Sequence, residues 1–342
     1  MGNNPQRDFM SVKVIAEAGI NHNCNIQNAF ELVDAAIDAG ADIVKFQAAI
    51  PEEVVTKQGE MAKYQIKNIG KKLTQLEMTK KIHFDLSSFK EIYYYSKKKG
   101  IAFCSTSFGE KATQYLSSFD MPFWKIPSGE INNIPYLRQI AFQKKPIILS
   151  TGMSNISEIE FALEILQESG HNRNLITLLH CTSEYPANKK EINLSAIQTL
   201  KNTFKVNVGY SDHTLGIEMP IAAVALGATV IEKHITLSRK MKGPDHVASL
   251  EPKEFKQMVE DIRNVENALG DGIKRPTNAE KVIKKSVRRS IVAKTNIKKG
   301  EQFTQNNITT KRPEGGISPI FWDKIINLNS TKNYSPDDLI EW

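Results

Sequence analysis

Short apolar runs alternate with longer amphipathic stretches along most of this chain. VKVIAEAG (12–19) is a continuous apolar run that reads as a β-strand. NIQNAFELVDAAIDAG (25–40) repeats its apolar residues at helical spacing and ends on a glycine, a helix-stop signal. Runs of the first kind recur at ADIVKFQA (41–48), IAFCSTS (101–107), FWKIPSG (123–129), PIILSTG (146–152), LITLLHCT (175–182), KVNVGYS (205–211) and TVIEKHIT (229–236). Helical periodicity occupies 84–100, 111–119, 134–143, 154–170, 194–204, 216–227 and 252–270. Continuous apolar runs are what parallel strands buried on both faces require. Eight strand–helix pairs within roughly 260 residues predict a closed (β/α)8 barrel. An open doubly wound sheet ranks second, because no GxGxxG follows the first strand. The polar interval 49–83 is too long for a plain connection, so a functional role is expected there.

The pattern changes after residue 270. The barrel domain is read as 1–272, a polar, proline-containing linker as 273–285, and a compact C-terminal unit as 286–342. That unit has short strand-like runs, a KKGE turn and polar loops. It is small for a free-standing core, so it is expected to pack on another surface.

Composition narrows the class. With 40% hydrophobic and 24% charged residues among 342, the chain has the balance of an ordinary globular protein. No stretch approaches the roughly 18 apolar residues of a membrane span. The opening MGNNPQRDFM lacks a signal-peptide apolar region, and Gln6 stands where a myristoylation motif needs Ser or Thr. A cytoplasmic location is therefore expected. Cys24, Cys104 and Cys181 form an odd, unmotivated set and read as reduced thiols, the last two in the core. The net charge is +7, and much of the excess sits in KRPTNAEKVIKKSVRR (274–289). Aromatics are absent there, so a solvated segment or attraction for small anionic substrates is favoured over nucleic acid.

Barrel enzymes build their sites at the C-terminal ends of the strands. Read that way, the ends present Glu17, Lys45 with Gln47, Thr106, Lys125 with Ser128 and Glu130, Ser150 with Thr151, Ser183 with Tyr185, Ser211 with His213, and Glu232 with His234. A loop carrying Asp245 and His246 follows. Two lysines among several hydroxyls point to a phosphate or carboxylate, with buried salt bridges as the structural alternative. Adjacent strands lie about 4.8 Å apart, so imidazoles ending two of them can meet one divalent ion. The alternative is that His213 pairs with an acid and His234 is merely packed. Lys125, borne on a strand, also leaves open a Schiff-base aldolase. His180 reads as a hydrogen-bonded residue of the barrel interior, and His83 and His171 as surface or loop residues.

Taken in order, IAEAGINHN, VKFQ, FWKIPSGE, ILSTGMS, LLHCTSEYPA, GYSDHT, IEKH, GPDHVASLEP and TTKRPEGGIS resemble the sialic acid synthase family, over nearly the whole chain from about residue 12. The C-terminal unit resembles that family's antifreeze-like (SAF) domain. The resemblance implies metal-dependent condensation of phosphoenolpyruvate with an N-acetylated mannose-type sugar, releasing phosphate. It implies Mn²⁺ or Mg²⁺ on His213 and His234. Lys45, Thr106, Lys125, Ser128 and Ser211 would gather around phosphoenolpyruvate. Glu17, Gln47, Tyr185 and Asp245 would lie near the sugar or the metal-bound water, with Glu130 supporting the site. Ser183 takes a place held by asparagine in some members. A homodimer is implied, each C-terminal domain covering the partner's barrel, with Arg312 reaching the sugar's N-acetyl group. This route needs no Schiff base, which argues against the aldolase.

The chain departs from the family pattern at Cys24, at Ser107 and Gly109, and at Glu314–Gly315. For the sugar, N-acetylmannosamine, giving N-acetylneuraminate, is placed first. The 2,4-diacetamido-2,4,6-trideoxymannose of N,N′-diacetyllegionaminate synthesis is the alternative. Neither a nucleic acid nor a membrane is expected as a partner.

Overall fold

The computed structural model describes residues 11–342; the readings that rest on Gln6 and its neighbours lie outside them. Eight strands form one parallel sheet: β1 Lys13–Gly19, β2 Ile43–Ala49, β3 Ala102–Phe108, β4 Trp124–Ile126, β5 Ile147–Ser150, β6 Ile176–Cys181, β7 Asn207–Asp212 and β8 Val230–His234. Their order, β3-β2-β1-β8-β7-β6-β5-β4, joins the first strand to the last, so the sheet curls into the expected (β/α)8 barrel. The ladder is interrupted only between β3 and β4. There the Tyr136 hydroxyl lies 2.8 Å from the Ser107 carbonyl and 3.5 Å from that of Lys125, bridging the seam.

The register explains where chemistry collects. Glu17 is level with Lys45 on one side and His234 on the other, and Ser211 with Glu232. Side chains two apart on a strand share a face, so Glu232 and His234 point the same way while Lys233 points oppositely. Outside the barrel, helices such as Ile26–Asp38 and Pro252–Leu269 bury one apolar stripe each, through Leu32 and Val33 in the first and Phe255 and Ile262 in the second. Each such side chain contributes about 1.5–3 kcal/mol by burial.

Three boundaries differ from the reading of the sequence. Strand 123–129 shortens to Trp124–Ile126, because Pro127 lacks an N–H for the ladder and Ser128–Glu130 winds into a 3₁₀ turn. The interval 49–83 holds three short helices, Pro51–Val54, Lys63–Ile69 and Gln75–Ile82. Residues 273–285 carry most of a helix, Asn278–Val287, started by a Thr277–Glu280 capping box.

The chain divides into two compact units at Gly270/Asp271. The second has its own core, built on Ile291, Phe303, Ile308, Ile317 and Ile340 around an antiparallel pair, β9 Ser290–Ala293 and β10 Ile308–Lys311. No helix among the described residues is long and apolar enough to cross a membrane.

Candidate active site

A cavity of about 350 Å³ opens at the C-terminal ends of the strands. Its floor is a buried charge quartet. Lys45 Nζ lies 2.7 Å from Glu17 and 3.7 Å from Glu232, and Lys125 Nζ lies 3.6 Å from Glu232. Lys45 also donates to Thr106 at 3.2 Å and Lys125 to Ser150 at 2.7 Å. Ser211 donates to Glu232 at 3.1 Å, and Gln47 to Glu17 at 2.7 Å. The salt-bridge alternative is therefore present, yet both amines also front the cavity. Two lysines matched by two carboxylates keep the empty site near neutrality, and an entering anion competes for amines already desolvated.

Burial and mutual attraction divide the titration of the quartet. Burial raises the Glu17 carboxyl above its ordinary value despite Lys45. Burial opposes ionisation of Glu232 too, but Lys125 and Lys45 together hold that carboxyl below the usual range. Burial lowers the Lys125 amine, whereas for Lys45 the attraction of Glu17 and Glu232 outweighs burial and raises it.

The two histidines meet above this floor. Their ring centroids are 5.6 Å apart. His213 Nδ1 lies 2.7 Å from the Thr182 carbonyl, which can only accept, so Nδ1 carries the proton and Nε2 a free lone pair. His234 Nδ1 is buried without any hydrogen-bond partner. Burial lowers both imidazoles, His234 strongly, so both are neutral donors. That chemistry fits a borderline divalent ion. Among the described residues no group of three or more His, Cys, Asp or Glu gathers around one point, so such an ion would take its remaining ligands from water or substrate.

Asp212 and Lys233 form the outward-facing counterpart of the Ser211–Glu232 pair. Both are fully buried and ion-paired, and Asp212 also accepts from the Tyr210 hydroxyl and from Thr214 N–H and O–H. Lys233 donates to the Thr214 carbonyl as well. The turn carrying His213 is thereby tied to the strand carrying His234.

Other predicted residues are distributed unevenly. Ser128, Ser183 and Tyr185 line the cavity. Ser128 Oγ accepts from the Gly152 N–H at 2.9 Å; a Cβ at Gly152 would stand 2.3 Å from Ser183 Oγ and 2.8 Å from Ser128 Oγ, so only glycine fits that polar cradle. The Tyr185 ring packs against His213 at a tilt of 34°, the centroids 4.1 Å apart. Asp245 lies beside the cavity and is buried; burial and then Glu17 push its carboxyl up to about 7.

Glu130 stands next to the cavity-lining Ser128 and Gly129. Its carboxylate accepts from Asn133 at 2.6 Å, near the start of helix Ile134–Ala141, and does not line the cavity. Arg312 is exposed in the second unit. His180 does not face the barrel interior: its Nε2 contacts the Ile192 carbonyl at 2.7 Å, outside the strand ring. His83 and His171 both lie in loops, as read, but His171 is buried and His83 is desolvated enough to hold its imidazole near 4.

Two contributors had no assigned role in the sequence reading. Glu232 was legible as the residue two before His234, on the same face of β8. Cys181, read as core, also lines the cavity, with Sγ 3.2 Å from Ser128 Oγ. Cys24 adopts φ 54°, in the left-handed region that glycine occupies freely.

An eight-stranded parallel barrel with convergent lysines, hydroxyls and two neutral imidazoles at its C-terminal mouth has the arrangement of a barrel enzyme's active site. The NeuB family model matches residues 32–274 and the SAF domain model residues 288–342. The N,N′-diacetyllegionaminic acid synthase of Campylobacter jejuni is 50% identical over 327 residues, covering 96% of this chain and 98% of that protein. The enzyme of the same name from Legionella pneumophila is 41% identical, covering 100% of this chain and 96% of that one. The solved N-acetylneuraminic acid (sialic acid) synthetase of Leptospira borgpetersenii, in complex with citrate, is 36% identical with a TM-score of 0.69, over 80% of this chain and 90% of that one. The chain belongs to the NeuB family, the enzymes of sialic-acid-type biosynthesis, and ends in a SAF domain.

Proposed function

We propose that this protein is an N,N′-diacetyllegionaminate synthase, condensing phosphoenolpyruvate with 2,4-diacetamido-2,4,6-trideoxymannose and releasing phosphate. The observation that carries this reading is the 50% identity, over almost the full length of both chains, with the Campylobacter jejuni enzyme of that name. It replaces N-acetylmannosamine as the first choice of sugar.

The site's residues suit the reaction. Lys45 and Lys125, with Thr106, Ser128 and Ser211, offer charge and hydroxyls to the phosphate and carboxylate of phosphoenolpyruvate. C3 of phosphoenolpyruvate bonds to C1 of the open-chain sugar, water adds at C2, and phosphate leaves to give the 2-keto acid. His213 and His234 would hold Mn²⁺ or Mg²⁺, which when bound polarises the sugar aldehyde as a Lewis acid. The new hydroxyl at the former aldehyde needs a proton. Asp245, near 7, is placed to hold one, with the Glu17 carboxyl, raised by burial, beside it. Gln47 fixes the Glu17 carboxylate, and Tyr185 covers the imidazoles. The Schiff-base alternative loses support, because Lys125 already binds Ser150 and Glu232. The family resemblance favours a homodimer in which Arg312 serves the partner's site. Free thiols and a phosphoenolpyruvate substrate fit a cytoplasmic setting.

The test is phosphate release from phosphoenolpyruvate with each sugar and Mn²⁺, with and without EDTA. Turnover confined to N-acetylmannosamine, or none with either sugar, would remove the proposal. Undiminished turnover in EDTA would remove the metal's role. His234→Ala should abolish Mn²⁺ binding measured by calorimetry.

A further inference from the structure

A second compartment of about 240 Å³ adjoins the active-site cavity. The two share Gln47, Tyr64, Phe108, Pro127 and Tyr185 as a common wall. Its far side comes from the helices of interval 49–83. Val54 and Val55, at the end of Pro51–Val54, and Met78 and Ile82, on Gln75–Ile82, make that side apolar. These helices are tied over the site: the Asn68 amide donates to the Tyr185 carbonyl at 3.2 Å and to the Pro244 carbonyl at 2.6 Å.

Within this apolar wall sit polar groups that the protein leaves unused. Gln75 Oε1 is buried with no hydrogen-bond partner, and so is His83 Nδ1. Both residues line the compartment. Thr79 is already spent, donating to the Gln75 carbonyl at 2.8 Å. Buried polar atoms without partners are rare in folded proteins, and each asks what normally satisfies it. An anionic ligand group is disfavoured, because the helix side is apolar, the His83 imidazole is neutral at working pH and the Asp245 carboxyl lines the same compartment. A hydroxyl alone would satisfy one atom and waste the apolar wall. An acylamino group matches all of it: its N–H and C=O complement a carboxamide whichever way the Gln75 amide is turned, and its methyl fills the apolar side.

We propose that this compartment is the specificity site for the distal half of the sugar, taking the second acetamido group and the deoxygenated end of a diacetamido-trideoxy sugar on Gln75, Met78, Val54 and Val55. The inference rests on the functional reading above and assigns the choice between the two sugars to interval 49–83. The compartment adjoins Tyr185, which covers the two imidazoles, so a sugar held there keeps its reactive end at the catalytic cavity.

The experiment compares kcat/KM for 2,4-diacetamido-2,4,6-trideoxymannose and N-acetylmannosamine in the full-length enzyme. Gln75→Leu removes the amide at nearly constant size. Val54→Thr, at a position 38% exposed, makes the wall polar without threatening the fold. The ratio of the two kcat/KM values should fall by roughly tenfold in Gln75→Leu and by a smaller factor in Val54→Thr. A ratio within about twofold of wild type in both variants would overturn the inference while the functional reading stands. A wild type that turns over only N-acetylmannosamine would overturn both.

Discussion

At the scale of single residues, Glu232 and Asp245 carry the sharpest consequences. Glu232 is the carboxylate shared by Lys45 and Lys125, all three being almost wholly buried. Glu232→Gln preserves shape but leaves Lys125 without its carboxylate partner. Removing one member of a buried ion pair costs about 3–5 kcal/mol. Urea unfolding should show a loss of that order; a loss below about 1 kcal/mol would mean that solvent already screens the quartet. For Asp245 the sign follows from its carboxyl lying near 7 when folded, against an ordinary 3.8. The folded chain keeps a proton that the unfolded chain releases, so this residue makes stability fall as pH rises through that window. Asp245→Asn removes the penalty. Its thermal midpoint, relative to wild type, should therefore improve steadily from pH 5 to pH 8. The buried imidazoles are common to both proteins and cancel in the comparison. A difference that is flat with pH would contradict the assignment.

At the scale of elements, β7 and β8 act as one unit. Alternation puts Ser211 and Glu232 inside, Asp212 and Lys233 outside, and the two histidines at the ends. The outer pair is fully buried, so its geometry is held without competition from water. Lys233→Met should destabilise by about 3–5 kcal/mol by stranding Asp212, and Asp212→Leu in the same chain should recover much of that loss. Mn²⁺ affinity should remain weakened in the double variant, because the Thr214 turn has lost its anchor. Recovery of metal affinity together with stability would show that the pair serves the fold alone.

At this scale the pattern of strands and helices was largely legible, because hydrophobic periodicity is a local property. The failures have local causes too. Pro127 cut β4 short. The Thr74–Glu77 and Thr277–Glu280 capping boxes marked helices inside stretches read as polar loop and linker.

At the scale of the whole molecule, the family resemblance and the exposed Arg312 make a prediction about assembly. If Arg312 serves the partner's site, a His234→Ala chain mixed with an Arg312→Ala chain forms one intact site per mixed dimer: a wild-type barrel with a wild-type Arg312. Activity should rise on mixing two nearly inactive proteins. Mixtures no more active than their components would place Arg312 in its own chain's site.

The sequence by itself determined the barrel, its polar strand ends, the histidines that end two neighbouring strands and the family, because each depends on residues close together in the chain or on motifs in fixed order. It also placed Lys45, Lys125, Ser211 and Tyr185 at the mouth through the rule that strand ends carry the chemistry. Only the tertiary structure decided which of those groups meet. Register set Glu232 between two lysines, and burial raised Asp245 and neutralised the histidines. Three short helices of the interval 49–83 came to wall a compartment beside the active-site cavity. Contacts between distant segments and the loss of water around a charge are properties of the packed chain, and no local pattern of residues encodes them.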